Sequence, residues 1–268
     1  MAAAGLADSE RITTDRDGHV LLIGVSRPDK RNAFDLAALR QLAAAYERLA
    51  DDEELRVGVL YAHGEHFSAG LDLAEVGPAV AEHGPAALTG NGRFDPFAVW
   101  GEPVPKPIIM AVHGIAFTLS IELALAADIV VAAADVRFRQ LEIARGILPF
   151  GGATFRAPAR LGWGNAMRWL LTADELGAQE AWRVGLVQEV VPAGRHVDRA
   201  LELARVVAAQ APLGVRGTLA NARVARAAAE QAAVEHLGKL LPAVLASQDA
   251  AEGVRSFVER RSGRFTGR

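Results

Sequence analysis

Apolar residues recur in two rhythms along this chain. Around Asp17-Gly18, the segment Arg11 to Val25 is rich in β-branched and apolar residues, which predicts a hairpin ended by Arg27-Pro28. Asp35 then stands as a cap before Leu36, Leu39, Leu42, Ala43, Tyr46 and Leu49, whose three- and four-residue steps predict a helix stopping near Asp51-Asp52. Val57 to Tyr61 is a short unbroken apolar run, as expected of a strand covered on both faces.

The alternation repeats with Ile108 to Val112 as strand, Ser120 to Ala127 as helix and Ile129 to Ala132 as strand, which gives an α/β core. Between the two units, Gly77 to Pro107 holds 5 Gly and 6 Pro and predicts a long loop carrying Phe94, Phe97 and Trp100. Past Val191-Pro192 the chain turns Ala-, Leu-, Arg- and Glu-rich with helical spacing, interrupted at Pro212 and Pro242. This change of character divides the chain into a core over 1–196 and a helical region over 197–268. Ile108 to Ala134 is apolar enough to raise a membrane span, but Glu122 and Asp128 within it would each cost on the order of 3 kcal/mol at mid-bilayer. Strand, helix and strand fit it better.

With 268 residues, 51% of them hydrophobic, the chain can bury one large core. A net charge of -3 gives no long-range attraction to nucleic acid or an acidic membrane, so an anionic ligand must be held locally. The absence of Cys excludes disulfides and thiolate metal sites and fits a reducing compartment, so a cytoplasmic location is expected. Met1 to Glu10 lacks a secretory pattern and reads as a loose tail.

Three segments carry candidate chemistry. His66 to Leu73 contains Ser68-Ala69-Gly70 between a strand and a helix start, where small residues and unpaired amides suit close approach to a developing oxyanion. Taken alone, such a segment is more often a plain turn. His113 to Glu122 repeats the arrangement and adds a carboxylate in an apolar helix, either a helix-start charge favoured by the dipole or a group in a cleft. Phe138 to Pro149 adds Glu142, which is either a second cleft carboxylate or a partner for Arg139 or Arg145.

Together, in this order and spacing, these segments resemble the crotonase superfamily and its enoyl-CoA hydratase branch. Arg27 to Ala33, Lys106 to Gly114, Leu171 to Glu189 and Glu252 to Arg261 extend the resemblance over nearly the whole chain. It implies a spiral of ββα units with a C-terminal helical trimerisation region, and a homotrimer or a hexamer built as a dimer of trimers. It further implies oxyanion-hole amides at Leu71 and Leu119, and catalytic carboxylates at Glu122 for water and Glu142 for the C2 proton. A CoA site would involve Arg31, Ala33, Ala69, Asp72 and Leu73, with Phe257, Arg260, Arg261 and Arg264 reaching a neighbouring subunit's CoA. The implied substrate is a 2-enoyl-CoA thioester; CoA belongs to the substrate, and no separate cofactor is implied.

Two positions depart from the family's pattern. Thr118-Leu119-Ser120 stands where a hydratase has a run of glycines, which is expected to narrow or re-aim the oxyanion hole at Leu119. Phe150 adds bulk beside Glu142. Enoyl-CoA isomerisation, acyl-CoA hydrolysis and a non-catalytic CoA-binding scaffold stay open as alternatives.

Overall fold

The computed structural model describes residues 10–268, so the expected tail from Met1 lies outside the described residues up to Ser9. The chain opens with the expected hairpin, β1 (Ile12–Asp17) and β2 (Val20–Val25), and Asp35 Oδ1 accepts from the Ala38 N–H to start α1 (Leu36–Asp51). β3 (Val57–Ala62) follows. Next comes α2 (Leu73–His83), reaching into the stretch expected to be a loop. Pro78 deletes one helical donor there, while buried Val76 and Val80 anchor the same helix.

β4 (Ile108–Val112), β5 (Ile115–Phe117), α3 (Leu119–Ala126), β6 (Ile129–Ala133) and β7 (Arg137–Arg139) make up the middle of the chain. They are followed by α4 (Ala153–Leu161), α5 (Trp163–Thr172), β8 (Glu175–Gly177), α6 (Ala178–Arg183) and β9 (Glu189–Val191). α7 (His196–Ala208), α8 (Pro212–Leu245) and α9 (Gln248–Val258) close the chain.

Six strands form one sheet in the order β1-β2-β3-β4-β6-β9, parallel except for the opening hairpin, and β5-β7-β8 form a second, smaller one. Val57 and Val59 of β3 and Ile109 and Ala111 of β4 face Ala200, Ala204 and Ala208 of α7, while Leu60, Met110 and Val112 face the main core. Burial on both faces is why these strands read as unbroken apolar runs. α7 therefore packs as a layer of the core, although the sequence reading groups it with the tail. Pro212 begins α8, but Pro242 does not end it: it lies in the last turn, beside buried Leu241, and deletes one helical donor there.

The C-terminal end returns to the middle of the chain. α9 crosses a 3-10 turn, Glu142–Arg145, in backbone contact: a Cβ at Gly253 would lie 1.8 Å from the Arg145 carbonyl oxygen. No helix among the described residues is long and apolar enough to cross a membrane.

Candidate active site

Two turns carry the unpaired amides and lie side by side because their backbones pair. Ser68 N–H donates to the Ile115 carbonyl and Phe117 N–H to that of Ser68, both at 3.0 Å, so the chain before Leu71 runs parallel to β5. Ser68 Oγ supports its own turn by accepting from the Gly70 N–H and donating to the Asn32 carbonyl. Among the described residues, neither the Leu71 nor the Leu119 N–H has a hydrogen-bond acceptor. Leu119 is the first residue of α3, where such an orphan donor is expected.

The strain anticipated at Leu119 falls instead on Thr118. Leu119 lies within the helix and needs no special backbone, whereas Thr118 has φ 47° and ψ -112°, a conformation costly for a β-branched residue. Its N–H is held by the Arg139 carbonyl at 2.9 Å. Ser120 Oγ reaches across to the Ser68 carbonyl at 3.3 Å.

Every residue of α3 from Leu119 to Leu125 is buried, so Glu122 sits in a helix that is apolar all round. Its Oε1 accepts from the Gly151 N–H at 2.8 Å and the Ala153 N–H at 3.2 Å, at the start of α4. Gly151 permits this approach, since a Cβ there would lie 2.5 Å from Glu122 Oε2. Burial pushes the Glu122 carboxyl up to about 7, against the lowering by these amides and by Arg156.

Glu142 begins the 3-10 turn and is also buried. Its Oε1 accepts from Gln140 Nε2 at 2.9 Å, and its Oε2 is buried without a partner among the described residues. Burial, and then the neighbouring Glu122, push its carboxyl well above the ordinary range. Neither Arg139 nor Arg145 pairs with it: Arg139 Nε donates to the Ala173 carbonyl, and the Arg145 guanidinium stacks 4.7 Å over the Phe257 ring.

Both carboxyls line one cavity of about 110 Å³ together with Ala69, Leu71, Leu119 and Phe150. Leu73 and Phe257 also line it, so Phe257 reaches the cavity of its own chain. Arg31, Ala33 and Asp72 are not on its wall. The Arg31 side chain is exposed while its carbonyl accepts from the Ala69 N–H, and the Ala33 carbonyl and the Asp72 carboxylate are both held by Arg27. Arg261 is engaged with Glu252 and Glu259. Two larger concavities, of about 390 and 420 Å³ and lined in part by α8, contain neither Glu122 nor Glu142, so chemistry rather than size selects the small one. Thr118, Arg145 and Ile147 also line it; of these, Arg145 is legible in the sequence only as a partner for Glu142. No group of three or more metal-ligating side chains occurs among the described residues.

A family model described as enoyl-CoA hydratase/isomerase matches residues 15–268. The chain is 34% identical over 259 residues to the 2,3-dehydroadipyl-CoA hydratase of Escherichia coli (strain K12), covering 96% of this chain and 99% of that protein. A crystal structure of a probable enoyl-CoA hydratase/isomerase from Mycobacterium abscessus is similar at 50% identity and TM-score 0.79, covering 97% and 100% of the two chains. A carnitinyl-CoA hydratase structure from Mycobacterium avium superposes with TM-score 0.85 at 33% identity, covering 96% and 99%.

Proposed function

Since the chain belongs to the enoyl-CoA hydratase/isomerase family and has the crotonase fold, we propose that it adds water across the double bond of a 2-enoyl-CoA thioester. One observation carries this reading: two buried carboxyls with raised proton affinity share a cavity with two amides that have no acceptor among the described residues.

Attack of water at C3 moves negative charge onto the thioester oxygen. The Leu71 and Leu119 N–H groups, from two residues that line this cavity, would receive it, each supplying about 3 kcal/mol when aimed at the enolate. Glu122 titrates near neutrality, so its ionised form takes a proton from the attacking water. Glu142 keeps its proton, and its unpartnered Oε2 is free to deliver it to C2. The CoA moiety belongs to the substrate and would enter past Ala69 and Leu73 near Arg31. The site needs no further cofactor for this chemistry.

Isomerisation of a 3-enoyl thioester needs one carboxyl to carry a proton between carbons, and hydrolysis needs water at the thioester carbon. Two carboxyls on one cavity, one to take the proton of water and one to protonate C2, favour hydration over both. The test is a set of saturated, 2-enoyl and 3-enoyl CoA thioesters with product masses. A gain of one water from the 2-enoyl substrates supports hydration; an unchanged mass with a moved double bond, release of free CoA, or no turnover replaces it with isomerase, hydrolase or scaffold respectively.

A further inference from the structure

Arg145 is a cation at the cavity that the hydration chemistry leaves unused. It ends the 3-10 turn that Glu142 begins, and in a 3-10 helix side chains three apart eclipse, so the acid and the guanidinium project on the same side. Both line the cavity. The Arg145 side chain has no hydrogen-bond acceptor and no carboxylate partner among the described residues; its contact is the Phe257 ring beneath it. The charged group that acts on it most is another cation, Arg139.

Two more deeply buried arginines of this protein each have a carboxylate, Arg156 with Glu230 and Arg223 with Asp128. Arg145 is instead held in place. Gly253 of α9 presses on its carbonyl, Gly146 closes its turn, and Phe257 supports the flat face of the guanidinium. A positioned guanidinium with open donors is an anion receptor.

We propose that Arg145 is a specificity-determining residue that binds a carboxylate on the acyl group, so that the preferred substrate is the CoA monothioester of a short dicarboxylic acid. This rests on the reading that the acyl group occupies the Glu122–Glu142 cavity. The cavity's size argues for the acyl end as the source of the anion. At about 110 Å³ it is much the smallest of the concavities described above, which suits a short acyl unit. The phosphates of CoA are separated from the thioester by the whole pantetheine arm, so they lie away from the reacting carbons. An acyl carboxylate would be repelled by Glu122 when that group is ionised, and a neighbouring cation offsets this.

Binding of saturated thioesters, which cannot be hydrated, tests this independently of turnover. Titration calorimetry would compare glutaryl-CoA, pentanoyl-CoA and free CoA on the wild type, R145M and R145K. Wild type is expected to bind glutaryl-CoA roughly 10- to 100-fold more tightly than pentanoyl-CoA, the scale of a hydrogen bond between charged partners. R145M should abolish that preference without weakening pentanoyl-CoA, and R145K should keep part of it. Equal binding of the two thioesters by wild type overturns the proposal. So does R145M weakening all three ligands alike, which would place Arg145 on the CoA phosphates. A melting temperature for R145M equal to wild type shows that any loss is not unfolding. Failure of the hydration reading would appear separately, as no gain of water on 2-enoyl thioesters.

Discussion

Thr118 fills the space that a side chain on Gly70 would need: a Cβ on Gly70 would lie 2.0 Å from Thr118 Oγ1. The two amide-bearing turns are thus interlocked, one giving up a side chain and the other accepting a strained backbone to supply it. G70A is expected to lower the melting temperature and turnover together, and the stability loss should be smaller in a T118G background, where the clash is gone. T118G alone relieves about 1–3 kcal/mol of strain against roughly 1 kcal/mol of added unfolded-state entropy. It should therefore fold at least as stably as wild type yet turn over more slowly. A four-variant thermal melt measures the coupling, and additive losses would show that the interlock is absent.

E122Q and E142Q should each lower kcat by roughly 10²-fold or more, the usual scale of general acid and base catalysis. The double variant should lose far less than the product, because losing either proton partner already stalls the step. All three should remain folded, since Gln is nearly isosteric and buries no charge. Full hydratase activity in E122Q with loss in E142Q would replace the two-carboxyl mechanism with a single-carboxyl one.

Folding stability should fall as pH rises from about 4.5 to above 7. Glu122 is pushed from its ordinary value of 4.5 to about 7, so the native state holds a proton that the unfolded chain releases. Its favourable neutral form is fully present below the unfolded value and is lost as pH passes the folded one. Glu142, shifted the same way, adds to the loss. Melting temperatures across this range should decline less steeply in E122Q, and a parallel decline in both proteins would count against the assignment. In the same range kcat/KM should rise toward pH 7 as the base ionises.

A trimer or hexamer is expected in solution. Leu213 and Val224 on α8 and Val254 and Val258 on α9 are exposed by 59–82%, more apolar surface than a lone subunit usually leaves on one helical region. Light scattering at micromolar concentration should give at least three subunits, and a monodisperse monomer would contradict it.

Legibility of the sequence divides along physical lines. β3, β4, the Asp35 cap and α3 are readable because burial on two faces, a short polar cap and an apolar helix leave local marks. The unequal partners of Glu122 and Glu142 are not: they come from Gly151, Ala153 and Gln140, and only the folded backbone decides who reaches whom. Pro78 and Pro242 read as helix breakers because composition records the lost donor but not the buried Val76, Val80 and Leu241 that outweigh it. Thr118 at positive φ is equally hidden. A β-branched residue argues against that conformation, and the space at Gly70 that makes room for it is distant in sequence.

The close seat of Gly253 against the Arg145 carbonyl has a consequence for how the site comes into being. The turn bearing Glu142 is braced by a helix that the ribosome makes about a hundred residues later. A nascent chain can already possess both amides and Glu122 while its acid still lacks a floor. The seating of the Glu142 turn is thereby coupled to the synthesis of α9, and a truncated product ending before that helix is expected to show no turnover even with both sheets formed.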